Sequence, residues 1–247
     1  VDAVVLAGGE ASDPLAREFG VPTKALAPLS GRPMVAWVIE ALLGSGVVER
    51  VIYVGPSAEL DPPPDLVLPP RGQILENLEA ALGQARGERV LVATADAPLI
   101  SAEAVRYVVE KAPDAALVYP VVPKEAIEAR WPGMRRTYAR LLDGTFTGGN
   151  LILLDKALFA QALPMARRVI AMRKNPLAIA RLIGFGVLVK LLLGRLSVAD
   201  LEARVGRIFG VPMRALVVPY PEIGVDADEP EDLVWMQRAL EGRDANR

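Results

Sequence analysis

The side chains in this sequence best suited to chemistry are one cation and a few carboxylates, spread far apart along the chain. Gly8 and Gly9 follow the apolar run Val1–Ala7, and Lys24 closes the loop they open. Glycines there let backbone N–H groups approach anionic phosphates with no Cβ in the way, and a lysine adds a point charge. Asp96 follows another apolar run in VLVATADAPLI, and Asp226 and Asp228 stand two apart in GVDADEPEDLVWM. At the end of a strand that spacing turns both carboxylates to the same side. Each piece also has a plain structural reading. A tight turn explains two glycines, and Asp96 serves equally well as a turn cap. Glu231 and Asp232 are read as complementing the dipole of a helix that starts at Pro230. Asp228 precedes that helix and is the better ligand candidate.

The chain has 247 residues, with no His and no Cys. Those two absences exclude a Ser-His-Asp triad, an imidazole base, a thiolate nucleophile, disulfides, iron–sulfur clusters and zinc held by Cys or His. Any metal must be a hard cation on oxygen ligands, which favours Mg²⁺. A net charge of −2 argues against a nucleic-acid partner, and 52% hydrophobic with 23% charged residues supplies a full core. The lack of Cys, with only four Gln and four Asn, points to a thermophile. The most membrane-like stretch, Leu177–Leu193, carries Arg181 and Lys190, so its charge-free run is far too short to span. No basic, then apolar leader opens the sequence. A cytoplasmic protein with no membrane span is expected.

The elements that must position these residues alternate. Strands are expected at Val1–Ala7, Val51–Val54 and Arg89–Ala95, and helices at Pro33–Leu43, Leu75–Arg86 and Ser101–Lys111, the last capped by Ser101. Asp61–Pro70 holds five prolines and is expected to be irregular. Further on, strands are expected at Ala115–Val122, Tyr138–Leu142, Thr147–Leu154 and Met213–Val218. Helices are expected at Lys156–Leu163, Arg167–Leu193, Val198–Phe209 and Pro230–Leu240. This is an α/β fold, a three-layer mixed, mostly parallel sheet with helices on both faces. We expect one domain over 1–247 with a helical insertion at about 156–212. The carboxyl ends of parallel strands form the ligand crevice, which puts Asp96 on the same edge as Gly8 and Gly9.

These elements, in this order, resemble the nucleotidyltransferases of the glycosyltransferase-A-like, nucleotide-diphospho-sugar transferase-like fold. Leu6, Gly8 and Gly9 match the family's opening L-x-G-G, Pro22, Lys24 and Leu26 its P-K-x-L, and Gly31, Pro33 and Met34 its G-x-P-M. Asp96 and the run from Asp228 to Leu233 match its two later acidic segments. The molybdenum cofactor guanylyltransferase branch is nearest, because ATADAPLI is similar to its D-x-P-L-L segment. The resemblance implies a nucleoside triphosphate, GTP first and CTP second, with Leu6, Ala7, Gly8, Gly9, Arg17, Lys24, Gly72 and Asn77 around it. It implies Lys24, Asp96 and Asp228 as catalytic residues, with Mg²⁺ on Asp96 and Asp228. In such chemistry a phosphate on the acceptor attacks the α-phosphorus and pyrophosphate leaves. A phosphate monoester is largely ionised at neutral pH and needs no general base, so a chain without His can run the reaction. Ala11 stands in place of the family's third glycine, and Asp13 in place of its arginine, so Arg17 is the substitute cation.

The acceptor is sought in the basic helical stretch. Between Ala160 and Ala215 there are ten Lys and Arg against Asp200 and Glu202. That stretch reads either as a solvated helical face or as an acceptor pocket for a phosphorylated small molecule, with Arg173, Lys174 and Asn150 as its contacts. The apolar run Leu182–Leu193 reads as core packing, with a lipophilic acceptor phosphate or a homodimer contact as alternatives. A nucleotide-binding regulatory module without catalysis is the rival to an enzyme, suggested by Ala11 and Asp13. A dinucleotide-binding oxidoreductase fails, because GGEASD does not supply G-x-G-x-x-G.

Overall fold

The computed structural model describes residues 1–172 and 175–244. In chain order the elements are β1 (Asp2–Leu6), α1 (Pro14–Glu18), β2 (Pro28–Leu29), β3 (Arg32–Pro33), α2 (Met34–Gly44), β4 (Arg50–Val54), β5 (Leu66–Leu68), α3 (Ile74–Gln84), β6 (Arg89–Thr94) and α4 (Ala102–Lys111). Next come β7 (Leu117–Pro123), α5 (Lys124–Arg130), β8 (Ala139–Leu141), β9 (Gly144–Gly148), β10 (Leu151–Asp155), α6 (Lys156–Met172), α7 (Pro176–Ile183), α8 (Phe185–Leu192), α9 (Val198–Phe209), β11 (Met213–Val217) and α10 (Pro230–Asp244). The chain divides into two compact units, one made of Val1–Glu110 with the segment from Val225 onward, the other of Lys111–Gly224.

In the first unit β5, β4, β1 and β6 lie side by side in that order, all parallel. β1 and β4 have completely buried centres, as near-continuous apolar runs in a two-sided parallel sheet must. Leu6 pairs with Thr94, so the loops leaving β1 and β6 emerge next to each other at one edge. In the second unit β7 is central: β10 and β9 flank it antiparallel, β11 pairs with it in parallel, and β8 extends from β9. Mixed strand directions and helices on a mostly parallel sheet are the α/β class expected.

Several boundaries differ from expectation, each for a local reason. Pro33 is the N-cap of α2, not its first residue, because it pairs with Pro28 in a small hairpin and keeps extended ψ. The proline-rich stretch contains β5, three residues paired to β4 at the sheet edge, where prolines on either side cost no ladder bond. Thr147–Leu154 is two strands, β9 and β10, divided at Gly149 and Asn150, whose N–H groups go to Pro120 O and Ile223 O. α6 runs through Pro164: the carbonyl left unpaired by the missing N–H belongs to Ala160, and both residues are exposed. The single helix expected over Arg167–Leu193 is broken, with α7 ending at Gly184 (φ +98°). There Arg204 donates to the carbonyls of Ile183 at 2.5 Å and Leu182 at 2.7 Å, capping the helix end.

Candidate active site

The carboxyl edge of the first unit's parallel sheet collects the predicted residues. Lys24 opens a short 3₁₀ turn, Lys24–Leu26, and reaches back across that edge. Its Nζ lies 2.8 Å from Asp96 Oδ2 and 2.8 Å from Asp228 Oδ1, and donates to Ala227 O at 3.0 Å. Ala227 N donates to Asp96 O at 2.8 Å, so the segment carrying Asp226 and Asp228 is pinned to the end of β6. Burial works against the charged ammonium of Lys24. Asp96 and Asp228 more than offset that, and its pKa is raised above the ordinary lysine value.

The carboxylates converge. One oxygen each from Asp96, Asp226 and Asp228 lie within 4.8 Å of one another. Asp226 and Asp228 follow a 3₁₀ turn (Pro221–Gly224) rather than a strand, but the backbone brings both acids to the same place. Asp96 Oδ1 is buried with no hydrogen-bond partner, as are the hydroxyls of Thr94, the last residue of β6, and Thr23, next to Lys24. Three stranded polar oxygens at one edge are the mark of a site completed by water, a ligand or an ion. An all-oxygen donor set with an unpaired carboxylate oxygen suits a hard divalent cation.

Two residues outside the expected set hold this arrangement. Asp226 stands out in the sequence as the partner of Asp228, yet it is absent from the expected ligands. Asp232, expected to complement a helix dipole, does more. Its Oδ2 accepts from the N–H groups of both Asp228 and Glu229, at 2.9 Å each, fixing the turn that presents Asp228. An acidic residue at the third helical position, reaching back past a helix start, is the available signal.

The loop after β1 is shaped by Asn77, a buried residue of α3. Its Oδ1 accepts from Arg71 N, and its Nδ2 faces Gly8 so closely that a Cβ built on Gly8 would lie 2.7 Å away. Gly8 thus has a packing reason to be glycine. Ala7 is buried and donates to Val54 O, Leu6 is half-buried, Gly9 is exposed, and Gly72 sits exposed at φ +89° beside Arg71. Asp13 has a structural role of its own. Its Oδ1 accepts from Leu15 N and caps α1. Arg17 lies exposed in the last turn of α1. In the second unit Asn150 directs both its backbone N–H and its side-chain amide to Ile223 O, which fixes the β9–β10 junction. Arg173 and Lys174 lie outside the described residues.

Comparison with solved structures adds context. The chain is 62% identical to a hypothetical transferase from Thermus thermophilus, covering 94% of this chain and 98% of that one with a TM-score of 0.89. A nucleotidyl transferase from Methanothermobacter is 18% identical over 98% of both chains, with a TM-score of 0.59. A 2-C-methyl-D-erythritol 4-phosphate cytidylyltransferase from Thermus thermophilus is 17% identical over 96% of this chain and 98% of that one, with a TM-score of 0.57. At such identities the last two show a shared fold. No protein of curated function matches the chain significantly. No helix among the described residues is long and apolar enough to cross a membrane. The profile of the MobA-like NTP transferase domain matches residues 3–181, nearly three quarters of the chain. It is to this family of nucleotidyltransferases that the chain belongs.

Proposed function

We propose that this nucleotidyltransferase moves a nucleoside monophosphate from a triphosphate, GTP before CTP, to a phosphorylated small-molecule acceptor and releases pyrophosphate. The observation that carries this reading is the meeting of Lys24 with Asp96, Asp226 and Asp228 at the carboxyl edge of a parallel sheet, with one Asp96 oxygen unpaired. Asp96 and Asp228, with Asp226 beside them, would hold Mg²⁺. Bound there, Mg²⁺ would neutralise phosphate charge and align the α-phosphorus. Lys24 adds a fixed positive charge for the phosphates, and the exposed loop at Gly8 and Gly9 offers backbone to them. No residue needs to remove a proton from an ionised acceptor phosphate. GTP rests on the likeness of ATADAPLI to the molybdenum cofactor guanylyltransferase segment, CTP on the cytidylyltransferase among the structural neighbours. The rival reading, a regulatory module without catalysis, draws on Ala11 and Asp13, and the capping of α1 by Asp13 gives that residue a structural reason of its own.

The test is a pyrophosphate-release assay with Mg²⁺, each triphosphate and a panel of phosphorylated acceptors. Release should require an acceptor, and Asp96→Ala and Asp228→Ala should each nearly abolish it. Wild-type rates in both variants would refute the metal assignment. Nucleotide binding with no turnover on any acceptor would favour the regulatory module.

A further inference from the structure

The second unit contains a hollow of about 530 Å³, bounded by α6 and α9 on one side and by β7, β8, β9 and β11 on the other. α9 carries an apolar stripe at helical spacing, Val198, Leu201, Val205 and Phe209. All four line the hollow, yet α9 has no buried residue. A stripe of that kind ordinarily packs to full burial against a core. Here the four are only half-buried: Val198 and Leu201 pack beside Leu141 and Phe146, Val205 and Phe209 beside Met213, and each leaves apolar surface to the hollow, whose wall α6 extends with Phe159 and Ile170. The charged side chains at the lining, Glu202 and Arg214, are already paired at 3.1 Å, and Glu202 also accepts from Ala215 N at 2.7 Å. A polar ligand gains little from such a wall, while a hydrocarbon gains burial along its whole length.

A separate observation concerns the same unit. Leu177, Phe185, Leu192 and Leu193 on and just after α7 and α8 are 71%, 80%, 86% and 63% exposed. Arg181, Lys190 and Arg195 are interleaved with them, within a stretch where ten cationic residues face two acids. Exposed large apolar residues interleaved with cations are the composition of helices that lie at an anionic lipid surface.

We propose that the second unit binds an anionic lipid, with one hydrocarbon chain in the hollow and the α7–α8 surface resting on the bilayer that supplies it. The inference uses none of the residues of the nucleotide site and stands or falls apart from it. Calorimetric titration with octyl, decyl and dodecyl phosphate below their micelle concentrations tests the hollow. Affinity should tighten roughly fourfold per added methylene, with a negative heat-capacity change. Ala166→Trp and Val205→Trp, which fill the hollow, should each weaken dodecyl phosphate at least tenfold while nucleotide-induced thermal stabilisation is unchanged. The chain-length series on the unaltered protein decides the matter even where a filled variant fails to fold. Co-sedimentation tests the surface: binding is expected to vesicles containing phosphatidylglycerol and not to pure phosphatidylcholine, and to be lost in a Phe185→Ser, Leu192→Ser double variant. Affinity independent of chain length, or equal binding to neutral and anionic vesicles, would overturn the proposal.

Discussion

Replacing Lys24 with Met keeps the stem and removes the charge, and the geometry sets the cost. Asp228 is 62% exposed, and an ion pair with so exposed a partner contributes only about 0–1 kcal/mol. Asp96 is 17% exposed and loses a 2.8 Å charge-assisted bond, so its half is worth about 1.5–3 kcal/mol. The sum, about 1.5–4 kcal/mol, corresponds to a Tm lowered by roughly 3–16 °C in a chain of this size. The raised pKa of Lys24 fixes the pH window. Its stabilising contribution is fully present below the ordinary lysine pKa and is lost only as pH rises through the higher folded value. The Tm difference between wild type and variant should therefore be level from about pH 6 to 9. Occupancy provides a second readout. In the wild type a divalent cation must compete with Lys24 for Asp96 and Asp228, and in the variant those carboxylates have lost their counter-ion. Mg²⁺ without nucleotide should therefore raise the Tm of Lys24→Met more than that of the wild type. Differential scanning fluorimetry across a Mg²⁺ series reads both effects. An unchanged Tm, or an equal Mg²⁺ response in the two proteins, would refute the reasoning.

Two further substitutions probe how the site is held. Asp232→Ala removes the acceptor of two backbone N–H groups and frees the turn carrying Asp228, so pyrophosphate release should fall at least tenfold. Asp232→Asn, which keeps an acceptor oxygen, should recover part of it, and wild-type turnover in the alanine variant would show that Asp228 needs no such support. Gly8→Ala drives a Cβ to 2.7 Å from an Asn77 amide whose other end is tied to Arg71, so the loop must shift. A loss of about 1–3 kcal/mol in chemical denaturation is expected, and a neutral result would show that Asn77 yields freely.

The alternation of apolar runs makes the parallel half of the sheet legible, because buried parallel strands such as Val4–Leu6 and Val90–Ala93 need no partner information to be recognised. The edge strand β5 is not legible. Three residues between prolines carry no periodicity, and only the neighbouring β4 makes them a strand. Gly148-Gly149-Asn150 hides a change of direction inside what reads as one β-rich run, since glycine permits a strand and a turn alike. At the site, Lys24, Asp96 and the pair Asp226 and Asp228 stand out by residue type and spacing. That Asp226 joins as a third carboxylate, and that Asp232 holds the turn, is not legible, because both depend on backbone geometry: which way two acids face after a 3₁₀ turn, and which N–H groups lie within reach of a helix's third residue. Asp13 shows the opposite error, a departure from a motif that looks chemical and is a helix cap.

Charge counting joins the sequence to the mechanism. Three carboxylates converge and one ammonium reaches them, so the cluster of Asp96, Asp226, Asp228 and Lys24 carries a formal charge of −2 from −3 and +1. Charges grouped so closely at a partly buried edge repel unless a cation shares them, and a divalent ion balances the count. For such an ion the unpaired Asp96 oxygen would be a ligand free of any hydrogen bond, while Asp228 Oδ1 would have to give up Lys24. On the proposed function, a triphosphate arriving with further negative charge would need such an ion and Lys24 at once. Lys24 would then be free to turn from the carboxylates to the phosphates. A chain with neither imidazole nor thiol has no proton shuttle of the usual kind at this edge, and redistribution of positive charge is the chemistry its residues equip it to perform.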